Sequence, residues 1–179
     1  PPELYKPWIS KLIDIIRNTE SGLPNKHLVM QTVDSHTRGG PGDFSADERV
    51  DALANEYTWG IANLDEEYIH NKPMVLIETC YYPHYKGDKL SASRVEAWEF
   101  MLGGGAAFMH LNGLYSTFNP GAGGTENGKI LEQLRILRNF MHTLQFINMT
   151  KDSSILDGDL PEGTFIRAIS EPGKQYAMY

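Results

Sequence analysis

Four aliphatic side chains in a row, Met74-Val75-Leu76-Ile77, end on a carboxylate, Glu78, and follow Asn71-Lys72-Pro73. Such a run has no polar face to turn toward water. It fits a strand covered on both sides, as in a parallel sheet with helices packed over it. The segments around it alternate accordingly. Residues 4–20 set Tyr5, Trp8, Ile9, Leu12, Ile15 and Ile16 three and four apart, one apolar helix face that Gly22, Pro24 and Asn25 bring to an end. The short apolar run at 27–33 reads as a strand and the glycine-rich 34–49 as a loop. Residues 50–59 suit either a helix or a strand and are read as a strand, with a short helix at 64–70 after them.

Downstream of Glu78, Ser93-Arg94-Val95-Glu96 has the capping-box pattern, so a helix is expected to open there, carrying Val95, Trp98, Met101 and Leu102 inward. Gly103-Gly104-Gly105 stops it before a strand at 106–111. A glycine-rich loop (113–128) then leads into a long helix with Ile130, Leu134, Leu137, Met141 and Leu144 in register. Two further strands are expected at 164–169 and 175–179, joined at Glu171-Pro172-Gly173. Helices alternating with short apolar strands specify an α/β fold with a parallel sheet and helical crossovers. Four βα units are half of a (β/α)8 TIM barrel, and four strands cannot close a barrel alone.

Composition narrows function by exclusion. A net charge of −7 opposes binding to nucleic acid or to an anionic membrane surface, and no apolar run approaches the ~20 residues of a membrane span. Cys80 is the single cysteine, which excludes an internal disulfide and a thiolate zinc site. The scattered histidines show no metal-ligand spacing, so no metal or cofactor is expected. Gly123 to Lys129 nearly fits a phosphate-binding loop, but Ile130 stands where a magnesium-holding hydroxyl is needed and Glu126 would repel phosphate. The chain opens on Pro1-Pro2-Glu3 and closes on the apolar Gln175-Tyr176-Ala177-Met178-Tyr179. The expectation is a piece cut at both ends, marginally stable or associating through open sheet edges.

Glu78 is the sharpest candidate site residue, since a carboxylate leaving a buried parallel strand stands where barrel enzymes keep their chemistry. On pattern alone it is equally a strand-end carboxylate left in solvent or paired with a lysine. Tyr81 follows it and could orient it or bind a polyhydroxylated ligand. Asp34 and His36 follow the first strand and could line a cleft. Asn55-Glu56-Tyr57 ends the second strand, and His110 and Asn112 end the fourth.

The run Lys72-Pro73-Met74-Val75-Leu76-Ile77-Glu78, with Arg94, Trp98 and Gly103-Gly104-Gly105-Ala106 after it, resembles the seventh strand and following helix of clan-A, family 5 cellulase-like glycoside hydrolases. Ala107 to Asn112 resembles their eighth strand, and Gln133 to Phe140 their closing helix. The resemblance implies the last four βα units of the barrel over residues 1–158, and over 159–179 the start of a β-sandwich-like domain. It implies retaining hydrolysis of O-glycosidic bonds in a carbohydrate substrate, with Glu78 as nucleophile and Tyr57 holding it. The acid/base would lie upstream of Pro1, about 5–5.5 Å from Glu78 in the whole barrel. Glu56 departs from the family pattern, as does His110 where relatives carry a tryptophan sugar platform. A carbohydrate-binding barrel without chemistry is therefore the alternative. The whole parent is expected to be secreted or periplasmic.

Overall fold

The computed structural model describes residues 2–33, 43–56, 64–78, 89–110, 124–156, 158–164 and 166–179. Four strands, β1 (Met30–Val33), β2 (Ala52–Glu56), β3 (Met74–Glu78) and β4 (Ala107–Phe108), form one sheet in the order β1-β2-β3-β4. All three pairings are parallel. Strand order follows chain order without reversal, unlike a doubly wound sheet, whose order turns back at a switch point. Helix α1 (Pro2–Thr19) precedes the sheet. Helix α2 (Leu64–Glu67), extended by a 3-10 turn at Tyr68–His70, connects β2 to β3. Helix α3 (Lys89–Leu102) connects β3 to β4, and α4 (Gly124–Met141) follows β4. Among the described residues no helix is long and apolar enough to cross a membrane.

The core lies between the sheet and its helices. Leu53 of β2 and Met74 and Leu76 of β3 are fully covered, and they share one cluster with Leu64, Phe100, Leu102, Leu137 and Met141. The turn from α3 into β4 depends on glycine. Gly104 has φ +101°, a left-handed conformation that a side chain disfavours, and a Cβ on Gly105 would overlap the Phe100 ring.

A second, antiparallel sheet follows α4: β5 (Thr150–Lys151), β6 (Ala168–Glu171) and β7 (Gln175–Met178). It is tied to the first layer at two places. Asp65 of α2 takes ion pairs from Lys151 and from Arg167 (3.3 Å), while the Lys151 backbone N–H donates to the Tyr68 hydroxyl at 2.9 Å. Trp98 of α3 stacks on Tyr179 at 5.4 Å and lies tilted against Phe140 of α4 at 5.1 Å. Trp98 is thus a packing joint between α3, α4 and the C-terminal end of the chain.

Several sequence expectations are corrected. The helix read as opening at Ser93 begins at Lys89. Ser93 is buried inside it, its hydroxyl unbonded among the described residues, so it caps nothing. The segment read as loop to Gly128 is helical from Gly124. The strand expected at 27–33 begins at Met30; before it, the Asp51 carboxylate takes the Val29 N–H at 2.6 Å in place of a backbone carbonyl. The fourth strand, expected over 106–111, is a two-residue strand, Ala107–Phe108, with single backbone bonds from Ala106 to Met74 and from Met109 to Leu76 on either side; Leu111 lies outside the described residues.

The apolar face of α1 is the largest departure. Ile13 is buried and Ile9 packs against the core, but Leu4, Tyr5, Trp8, Leu12, Ile15 and Ile16 stay exposed, Trp8 to 60%. Helical spacing predicts a face to be covered; nothing among the described residues covers it.

Candidate active site

The carboxyl edge of the parallel sheet is built by the ends of three strands. Leu53↔Met74, Ala54↔Val75 and Asn55↔Leu76 pair in step between β2 and β3, and then the register shifts so that Glu56 partners Glu78. Ile77 is the extra residue of this bulge. Without it, Glu56 would stand opposite Ile77 and the two carboxylates would be out of step. A bulge bends its strand and re-aims the side chain beyond it, a device common beside active sites. Both carboxylates are half-buried at this edge.

His110 reaches the same level from the other side. Phe108 partners Leu76, and the Met109 N–H continues the ladder to the Leu76 carbonyl at 2.8 Å. His110 therefore lies two residues beyond that pair, as Glu78 does on its own strand. Neither ring nitrogen of His110 has a hydrogen-bond partner among the described residues, and burial pushes its pKa below the ordinary imidazole value. Burial thereby favours the uncharged ring. Glu56 and Glu78 are thus register partners at this edge, and His110 follows the last paired residue of the neighbouring β4 by two positions.

These groups are chemical parts for acid, base or nucleophilic work on a polar substrate. Among the described residues no group of three or more His, Cys, Asp or Glu is placed to hold a metal ion. Of the other residues singled out from the sequence, Asp34, His36, Tyr57, Tyr81 and Asn112 lie outside the described residues.

No family model, curated protein or solved structure matches the chain. The site therefore stands on its own geometry.

Two polar groups are buried in a way that sequence reasoning did not foresee. Asn55 is fully buried in β2, one residue before Glu56, and neither of its amide atoms has a partner among the described residues. Its signal was a polar residue closing the buried run Ala52-Leu53-Ala54. Glu99 on α3 is 2% exposed. Burial is the largest influence on it and Glu96 adds to it, raising its pKa to about 7 against the opposing pull of Arg167. Its signal was a carboxylate beside Phe100, on the same helix face as the covered Glu96.

Proposed function

We propose that the chain is the C-terminal half of a TIM-barrel glycoside hydrolase, with Glu78 as the nucleophile of a retaining reaction on an O-glycosidic bond in a poly- or oligosaccharide. The observation that carries this reading is Glu78 at the carboxyl end of a buried parallel strand, brought level with Glu56 by the bulge at Ile77. The unreversed strand order supports it, because a barrel winds in one direction.

In this reading Glu78 attacks the anomeric carbon and forms a glycosyl-enzyme ester. A second carboxylic acid, carried by upstream strands, protonates the leaving oxygen and then activates the water that releases the sugar. Glu56 stands beside the nucleophile and Tyr57 follows it to hold the carboxylate. The reading gives substrate binding to Asp34, His36, Tyr81, His110 and Asn112. One carboxylate cannot both attack and protonate, so this segment alone turns over no glycoside.

A second reading is a carbohydrate-binding barrel without chemistry. It is favoured by His110, a half-buried imidazole where an aromatic sugar platform would serve a hydrolase.

The deciding experiment measures release of aryl leaving groups and reducing sugar from a panel of aryl glycosides and plant polysaccharides. The 179-residue chain is compared with the same chain restored to its upstream half, and with the restored Glu78→Gln variant. Activity in the restored chain alone, lost by at least about a thousandfold in Glu78→Gln, is the expected result. Sugar binding without turnover in the restored chain would establish the binding reading instead.

A further inference from the structure

Among the described residues the parallel sheet ends at β1 on one side and at β4 on the other. Helix α1, which precedes β1 in the chain, presents a ridge of exposed apolar side chains that includes Tyr5, Trp8 and Ile15, and Leu28 and Met30 are exposed where β1 begins, Leu28 at 79%. At the β4 edge lies a groove of about 870 Å³, walled by Phe108 of β4, by Leu131 and Leu134 of α4, and by Phe146 and Ile147 beyond it. Ile147 is 90% exposed. Among the described residues, β1 pairs only with β2 and β4 only with β3.

Because the strands are parallel and in chain order, a half-turn about an axis along the strands keeps their direction. It sets β1 of a second copy beside β4 of the first, and β4 of the second beside β1 of the first. Both seams are then identical, each places a ridge against a groove, and eight strands close with no free edge. At roughly 100 Å² left open on each, the six exposed side chains of α1 with Leu28 and Met30 present on the order of 800 Å². That is one partner's share of a standard interface and more than a monomer ordinarily exposes.

We infer that the 179-residue chain forms a two-fold dimer in which the α1 ridge of each copy seats in the β4–α4 groove of the other and the two sheets join edge to edge. This rests on strand topology and exposed surface, independently of the chemistry proposed for Glu78. In a longer polypeptide, upstream strands would compete for the same two edges.

The test is sedimentation equilibrium of the chain across a hundredfold range of concentration, alongside a ridge variant (Trp8→Glu with Ile15→Lys) and a groove variant (Leu131→Glu with Ile147→Lys). All four positions are exposed, and far-UV circular dichroism checks that helix content is kept. The expected mass of the unaltered chain is twice 20.1 kDa, with both variants monomeric. Mixing the two variants should restore a dimer, because one of its seams joins an intact ridge to an intact groove. A monomer at every concentration overturns the inference and leaves the edges to upstream strands. A dimer that survives the groove variant overturns it too, since α1 would then pair with α1.

Discussion

Glu99→Gln offers a quantitative test of the packing around α3. Burial makes the charged form of Glu99 costly, with Glu96 adding to it, and the pKa rises from 4.5 to about 7. A raised carboxylate pKa favours the folded state while the group is protonated. That advantage is complete below about pH 4.5 and is lost as pH rises through 7. At about 1.4 kcal/mol per pKa unit, the full effect is about 3 kcal/mol. Glutamine keeps the shape and cannot ionise, so it removes this dependence. Urea unfolding of the two proteins at matched concentration, at pH 5 and pH 8.5, isolates the effect, because every other titrating group cancels in the difference. The variant should gain about 2–3 kcal/mol on the unaltered protein between those pH values, near 2–4 °C in Tm for each kcal/mol. A difference between the two proteins that stays constant with pH would refute the reasoning, and would mean that Glu99 ionises in water or against Arg167 at no cost.

Three more substitutions probe the frame that carries the site. Gly105→Ala should destabilise by about 1–3 kcal/mol, because its Cβ meets the Phe100 ring, whereas Gly128→Ala in open space on α4 should stabilise by about 0.5–1 kcal/mol; thermal shifts of the same sign in both would contradict this. Arg49 donates to Asp47 at 2.5 Å, Asp14 at 2.6 Å and the Ser10 hydroxyl at 3.0 Å, joining α1 to the segment before β2. Hydrogen bonds from Arg49 hold the Asp47 pKa down at about 2 against 3.8. A depressed pKa adds stability above the unfolded value that is lost as pH falls through the folded one. Arg49→Ala should therefore lower Tm by a few degrees at pH 7, and by progressively less as pH approaches 2; a loss that does not change with pH would place the role of Arg49 in packing alone.

Where local pattern and neighbourhood agreed, the elements were legible from the chain. Met74 to Glu78 is β3 as its aliphatic run requires, and the long helix through Ile130, Leu137 and Met141 buries the residues its spacing selects. The alternation of helix and strand specified the parallel sheet, since strands that point the same way need a crossover between them. Ends were less legible, because where a strand stops depends on its pairing with a neighbour, and β4 is two residues long where six were expected. The capping pattern at Ser93 misled because it is local, and a helix already begun at Lys89 absorbs it. The two-residue β5 carries no periodicity and exists only through its pairing with β6.

The sequence by itself determined that a carboxylate would leave a buried parallel strand at Glu78 and that α1 would carry an apolar face. Both follow from the order of side chains along one segment. Only the tertiary structure decided that Glu78 partners Glu56, that Glu99 lies in the interior, and that nothing among the described residues covers the face of α1. Register, burial and cover are relations between segments distant in the chain. They are set by which neighbour a strand or helix meets, and no single segment records that.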